Sequence, residues 1–136
     1  MIEQTEIILP SFGRGFHLIS NIIQDHLQNL PEKGILNLFI NHTSAGITIN
    51  ENADPQVRTD LETVFNKLVP DGLKDYLHTA EGSDDMPAHV KSTLTGHSVT
   101  IPIRDHQLGI GTWQGIYLCE FRNRGGRRKI SATIIY

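Results

Sequence analysis

Two imidazoles and three carboxylates lie within one twelve-residue segment of this chain, from His78 to His89. The carboxylates belong to Glu81, Asp84 and Asp85. Gathering so many titratable groups costs desolvation and like-charge repulsion unless a bound cation, a basic ligand group or solvent compensates them. Asp85 and His89 are four residues apart, so they would share one face of a helix. The segment therefore predicts a cation site, or a site at which a carboxylate acts as general acid or base.

A structural interpretation of the same segment is simpler. A carboxylate at the start of a helix caps free backbone N–H groups and interacts favourably with the helix dipole. A histidine at the end of an element can serve only as a hydrogen-bonding group. Capping explains one of the three carboxylates but hardly all of them, which favours the functional interpretation.

A second polar segment lies upstream and begins at His42. The hydroxyls of Thr43 and Ser44 stand beside a flexible glycine and suit the binding of a phosphate, and the amides of Asn50 and Asn52 follow. A nucleophilic Ser44 next to His42 is conceivable, but the flanking residues do not form a nucleophile elbow. Without other support, a polar β-turn is the better interpretation of the segment.

Three histidines combine the two segments into one candidate metal site: His42, His78 and His89. Neutral imidazoles suit zinc, and three of them with an open fourth position is a catalytic pattern. Their spacing matches no short zinc signature, so the alternative is that each ring only hydrogen-bonds at the end of an element.

Other side chains suited to a substrate occur later in the chain. Lys91, Ser92 and Arg122 can neutralise or bind a phosphate, although a solvated surface is the alternative. Trp113 and Gln114 can stack on and hydrogen-bond a planar ring, but a tryptophan in a strand more often packs in the core or at an interface.

The whole chain has the composition of one globular domain. It has 136 residues, a net charge of −3 and a pI near 6.1, which gives no reason to expect nucleic acid. The single cysteine, Cys119, cannot form a disulfide within the chain. No signal peptide and no segment long enough to span a membrane is evident, so a cytoplasmic protein is expected.

The hydrophobic pattern predicts an α+β fold. Helical spacing occurs over residues 19–30 and again after Asp54-Pro55, where Asp caps the helix and Pro takes its first position; a short helix follows Asp85. Strands are predicted over residues 2–9, 35–40, 47–50, 99–103, 111–122 and 130–134.

Three more detailed expectations follow from this pattern. The strand over residues 35–40 should be buried on both faces, because it is almost continuously apolar. The last three strands should form an antiparallel meander, because their connections are short. Trp113, Tyr117 and Phe121 should share one face that is buried in the core or against a neighbouring subunit.

Four motifs make the chain resemble the YjbQ family, whose members are described as secondary thiamine-phosphate synthases. The motifs are His-Thr-Ser-Ala followed by Ile-Asn-Glu-Asn-Ala-Asp-Pro, then Glu-Gly-Ser-Asp-Asp-Met-Pro-Ala-His-Val-Lys-Ser, Gly-Thr-Trp-Gln-Gly-Ile, and Glu-Phe-Arg before Gly-Gly. They occur in order along essentially the whole chain. Two positions depart from the family pattern: His106 stands where a glycine is usual, and Ala80 stands where a tyrosine is common.

The resemblance implies a single domain over residues 1–136. Its fold would be a β-sandwich-like pair of antiparallel sheets with two main helices and one short helix, assembled as a homotrimer. It also implies a polar metal pocket lined by His42, His78 and His89. The implied metal is divalent, with zinc favoured and magnesium possible together with pyrophosphate.

The function expected from the resemblance is that of a metal-assisted transferase. It would couple a pyrimidine pyrophosphate to a thiazole phosphate and release pyrophosphate. Glu81, Asp84 and Asp85 would be the catalytic carboxylates, which support the metal ligands, bind magnesium or transfer protons. The substrate would contact Thr43, Ser44, Asn50, Asn52, Lys91, Ser92, Trp113, Gln114 and Arg122. Two alternatives stay open: a metal-dependent hydrolase of a phosphorylated small molecule, and a trimeric metal- or metabolite-binding module without activity.

Overall fold

Two antiparallel sheets pack face to face, and two of the three helices cover the outer face of the smaller sheet. The computed structural model describes residues 1–136. In chain order the elements are β1 (Ile2–Ile8), β2 (Gly15–Leu18), α1 (Ser20–His26), β3 (Lys33–Ile40), β4 (Ala45–Glu51), α2 (Pro55–Leu68), α3 (Asp85–Thr95), β5 (Ser98–Arg104), β6 (Gln107–Leu108), β7 (Gln114–Glu120) and β8 (Lys129–Ile135). The α+β prediction with sandwich-like antiparallel sheets is confirmed.

The large sheet has the strand order β1-β8-β3-β5-β6, and the small sheet has the order β2-β7-β4. Their facing surfaces form the main core, which takes one side of each strand because side chains alternate along a strand. In β3, for example, Leu36, Leu38 and Ile40 point inward, whereas Ile35 and Phe39 are exposed. The expected burial of this strand on both faces is therefore wrong.

Strand β7 is the one buried on both sides. Ile116 and Leu118 belong to the core between the sheets, while Tyr117 and Phe121 pack with Phe16 beneath α2 and α3. This confirms the strand register predicted for Tyr117 and Phe121. Trp113 lies before β7 and is 67% exposed within this chain.

The predicted meander of the last three strands is wrong. β5 pairs with β3, β8 lies between β1 and β3, and β7 belongs to the other sheet. A strand that is apolar on both faces needs cover on both, and β7 finds it only in the centre of the small sheet, between the large sheet and the helices. Two other differences are local: Gly15 begins a strand instead of ending a turn, and α1 ends at His26.

Helix α2 begins as predicted, with the Asp54 carboxylate accepting a hydrogen bond from the Gln56 N–H at 2.9 Å. Helix α3 ends at Gly96, which has a φ of +87° that favours glycine. Its apolar residues were expected to face inward, but Leu94 is exposed. The side that α3 turns toward the protein instead carries Asp85, Ala88, Lys91 and Ser92. None of the three helices has the length and apolar composition of a membrane-spanning segment.

Candidate metal centre

Three potential metal ligands converge at the start of α3. Asp85 and His89 stand one helical turn apart, and His78 reaches them from the loop after α2. The Asp85 Oδ2 atom lies 2.6 Å from His78 Nε2 and 3.1 Å from His89 Nε2. One ligand atom from each residue lies within 4.8 Å of the other two. Two nitrogens and one carboxylate oxygen therefore surround a single position.

The Asp85 carboxylate is buried, with only 1% of the residue exposed, and its second oxygen receives a hydrogen bond from Arg122 Nη1. Arg122 also donates to Asp84 Oδ2 at 2.9 Å through Nε and to the Glu81 carbonyl at 2.9 Å through Nη2. Burial alone would raise the pKa of Asp85. The hydrogen bond with His78 and the charges of His89 and Arg122 outweigh burial and lower that pKa below its usual value. Asp85 is therefore a stable carboxylate that can ligate a cation.

The proton on His89 is fixed by its other contact. His89 Nδ1 lies 2.8 Å from the Thr43 carbonyl oxygen, which can only accept, so Nδ1 carries a hydrogen. The lone pair of a neutral His89 then sits on Nε2 and faces the Asp85 oxygen. Lone pair against carboxylate is repulsive unless a proton or a metal ion lies between them. A ring nitrogen anchored to a backbone carbonyl is also the usual support of a metal-binding histidine. The donor set fits a metal such as zinc.

His42 does not join this group. Its Nε2 accepts a hydrogen bond from the backbone N–H of Lys129 at 2.8 Å. Burial, together with the charges of Arg128 and Lys129, lowers the pKa of His42 and favours the neutral ring, although Glu120 acts in the opposite direction. In that neutral ring Nδ1 bears the hydrogen, so His42 offers a donor and no free lone pair. The trio of His42, His78 and His89 is thus not brought together, and Asp85 takes the place of His42.

A pocket of about 610 Å³ adjoins the centre at His89. This volume lies in the range of small-molecule sites. Its wall combines hydroxyls, imidazoles and one aromatic ring: Phe39, His42, Thr43, His89, Ser92, Thr93 and His97. Phe39 and His97 contact each other edge to face, with 5.4 Å between ring centroids. His42 is therefore placed to bind a ligand in this pocket.

The chain matches a known protein family over almost its whole length. The family model described as UPF0047 protein YjbQ-like matches residues 5–136. This chain belongs to the YjbQ family. The UPF0047 protein YjbQ of Salmonella typhimurium is 52% identical over 136 residues, covering 98% of each chain, and that of Escherichia coli O157:H7 is 45% identical with the same coverage. A solved YjbQ/UPF0047 family protein from Clostridium acetobutylicum has a TM-score of 0.84 at 39% identity and covers 96% of this chain and 99% of its own. The name of the family does not describe a reaction.

Lys91 does not reach the pocket of this YjbQ protein. It is 1% exposed, and its ammonium donates to Asn66 Oδ1 at 2.7 Å on the other side of α3. Burial, with a contribution from Arg14, lowers the pKa of Lys91. The expected phosphate contact is wrong for this residue. Its neighbour Ser92 lines the pocket, although its hydroxyl donates to the Ala45 carbonyl at 2.8 Å.

The expected substrate residues near Trp113 lie at the far end of the small sheet. The β4–β7 pairing runs from Ala45 opposite Glu120, near the centre, to Glu51 opposite Gln114, a span of about 20 Å at 3.4 Å per residue. There the Asn52 side chain donates to the carbonyl oxygens of Thr112 and Gln114 and supports the loop that carries Trp113. Within one chain, Asn50, Asn52, Trp113 and Gln114 are separate from the histidine centre.

Glu120 and Arg128 form an ion pair next to the centre that the sequence analysis did not predict. Glu120 is fully buried, and Arg128, which is 4% exposed, donates to it through Nε at 2.7 Å and through Nη2. Arg128 also binds Ser44, so neither residue is free to bind phosphate. The alternation of side chains along β7 could have predicted this pair. Glu120 lies on the same inward face as Ile116 and Leu118, and a buried acid needs a partner.

Proposed function

We propose that this YjbQ-family protein binds one divalent metal ion, with zinc favoured, through His78, Asp85 and His89. The orientation of His89 supports this proposal most directly. Its Nδ1–H is committed to the Thr43 carbonyl, so Nε2 is the ring atom left for a metal, and it faces the buried carboxylate that His78 also contacts. Three protein ligands leave a coordination position open, as in catalytic zinc sites.

The adjacent pocket suits a phosphorylated small molecule. The Ser92 and Thr93 hydroxyls in its wall already donate to the Ala45 and His89 carbonyl oxygens, which leaves the Thr43 hydroxyl and the Nδ1–H of the neutral His42 ring. These groups can donate to phosphate oxygens, while Phe39 gives an apolar surface for an organic ring. A metal held at the centre would supply positive charge for a leaving pyrophosphate.

The three carboxylates then have different roles. Asp85 is a ligand, and Asp84 accepts hydrogen bonds from Arg122 and from the Asn123 backbone. The side chain of Glu81 makes no hydrogen bond and no ion pair, and the residue is exposed. Glu81 is therefore the carboxylate that is free to exchange a proton with a substrate or with water.

The reaction we propose is the one implied by the family resemblance: the ring nitrogen of a thiazole phosphate attacks the methylene carbon of a pyrimidine pyrophosphate, and the bond from that carbon to the pyrophosphate oxygen breaks. The chain would hold both substrates next to each other in the pocket. Hydrolysis of a phosphorylated small molecule is the second candidate, because the exposed Glu81 carboxylate can take a proton from an attacking water.

One assay separates these reactions. The zinc-loaded protein is incubated with pyrimidine pyrophosphate, with and without thiazole phosphate, and thiamine phosphate, pyrophosphate and inorganic phosphate are each quantified. A transferase forms thiamine phosphate and pyrophosphate in equal amounts only when both substrates are present. A hydrolase releases phosphate or pyrophosphate without the thiazole. If neither product exceeds that of the metal-free protein, the enzymatic proposal is wrong and a binding module takes its place.

We also propose that the protein is a homotrimer, which the family resemblance implies, and that the outer face of the large sheet forms the subunit contact. One row across this face is wholly apolar: Ile2, Ile135, Ile35 and Pro102. The next row carries only amides and hydroxyls: Gln4, Thr133, Asn37 and Thr100. An exposed, largely uncharged sheet face of this kind favours association.

Light scattering of the purified protein should give three times the chain mass of 15.2 kDa. Ile35→Glu, in the centre of the apolar row, should reduce the mass to that of a monomer, because it would bury an unpaired charge. The matched control is Leu68→Glu, at an exposed position on α2, which should stay trimeric. A monomeric wild type would disprove the assembly, and a trimeric Ile35→Glu variant would disprove the surface.

A further inference from the structure

The buried ion pair of Glu120 and Arg128 shares no hydrogen bond with the three proposed metal ligands. Glu120 ends β7 and Arg128 directly precedes β8, so the two residues tie the small sheet to the large one. A Cβ atom on Gly125 would overlap the Glu120 carboxylate, so the connecting loop closes tightly over the pair. The backbone N–H of Arg122 also donates to Glu120, at 3.0 Å.

Stability alone does not account for this pair. Removing two charges from water costs about as much as their attraction returns, and apolar residues of similar volume often serve equally well. An apolar pair could not reproduce the hydrogen bonds that the Arg128 guanidinium donates to Ser44. Arg128 Nη2 lies 3.0 Å from Ser44 Oγ and 3.3 Å from the Ser44 carbonyl oxygen.

Ser44 connects the pair to His89. The carbonyl group of Thr43 lies in the peptide that joins it to Ser44, so holding Ser44 by both its hydroxyl and its carbonyl restrains the position of that peptide. The Thr43 carbonyl in turn receives the His89 Nδ1–H at 2.8 Å. On the other side, the backbone N–H of Lys129 binds His42. The segment from His42 to Ser44 is therefore anchored by the start of β8 at both ends.

We propose that Arg128 and Glu120 are positioning residues: acting through Ser44, they direct the Thr43 carbonyl that accepts the His89 Nδ1–H and so orients the ring. The guanidinium fork is required because one group must hold a carboxylate and two oxygens of Ser44 at once, which a lysine ammonium on a flexible stem does less well. The consequence for metal binding rests on the proposed function, whereas the effect on the His89 Nδ1–H hydrogen bond does not.

The experiment records the side-chain N–H resonances of the histidines in metal-free protein, and a His89→Gln variant assigns the signals. In wild type the hydrogen bond to the Thr43 carbonyl should shift the His89 Nδ1–H signal downfield and protect it from exchange with water. In Arg128→Lys, which preserves the charge but not the fork, this signal should shift upfield and exchange faster. Arg127→Lys is the matched control, at an exposed neighbouring position, and should leave His89 unchanged.

Zinc titration of the same variants gives the second measurement. Arg128→Lys should weaken zinc binding by about 10- to 100-fold, as loss of a supporting contact to a metal-binding histidine does. Unchanged His89 shifts in a folded Arg128→Lys variant overturn the inference. Should that variant not fold, Ser44→Ala removes only the hydroxyl contact and must shift His89 in the same direction, and an unchanged spectrum there also overturns it. If the shifts change but wild type binds no zinc, the positioning role stands and the metal proposal fails.

Discussion

Replacing His89 by alanine should remove zinc from this protein while leaving it folded. The variant loses one of three proposed ligands and the anchor to the Thr43 carbonyl, so zinc affinity should fall on the order of 100-fold or more. Bound zinc per chain, measured by mass spectrometry after dialysis, should drop from about one to near zero. His78→Ala should have the same effect, and transferase or hydrolase activity should fall in parallel. The helix itself should persist, because alanine is the best helix former.

The decisive comparison is with His42→Ala. If the ligands are His78, Asp85 and His89, zinc content should survive this change, and only the affinity for a ligand in the pocket should decrease. If the ligands are the three histidines, zinc should be lost as completely as from His78→Ala. His26→Ala, at an exposed histidine of α1, is the control for removal of an imidazole. Retention of a full equivalent of zinc by His89→Ala would refute the proposed centre.

The sequence predicts those parts of the centre that depend on local geometry. Asp85 and His89 share a face because they are one turn apart in a helix whose start and end the sequence marks. The alternation of Tyr117 and Phe121 likewise gives the buried face of β7. These are relations within one element, where spacing along the chain decides spacing in the fold.

The parts that the sequence does not predict depend on long-range contacts. His42 is excluded from the ligands by the N–H of Lys129, 87 residues away. The strand pairing is another example, since short connections favour a meander but the two apolar faces of β7 require cover from both sides. For Lys91 the helical pattern is misleading: α3 buries an ammonium group and exposes Leu94, because its inward side meets Asn66 and the network around Arg14.

The second large effect expected concerns stability. Glu120→Ala should reduce the free energy of unfolding by about 3–5 kcal/mol, because it leaves the buried Arg128 guanidinium without its carboxylate. A domain of this size has a total stability of about 5–15 kcal/mol, so the variant should be close to unfolding. Urea denaturation followed by circular dichroism measures the change. The control is Lys129→Met, which breaks the exposed ion pair with Glu6 and should cost less than about 1 kcal/mol. A loss of similar size from both variants would contradict the importance of burial.

The double variant Glu120→Leu, Arg128→Met tests whether the pair serves stability or position. The double variant has no unpaired guanidinium in its core. Most of the stability lost in Glu120→Ala should therefore return, as it does when apolar residues replace other buried ion pairs. Ser44 would still lack its two contacts from Arg128. Zinc binding should therefore stay at least 10-fold weaker than in wild type, although the fold is restored. Recovery of both stability and zinc affinity would mean that the pair acts only as part of the core. Recovery of stability alone would separate the two roles, because a side chain that only fills space can be replaced by another of similar volume, whereas one that directs a hydrogen bond cannot.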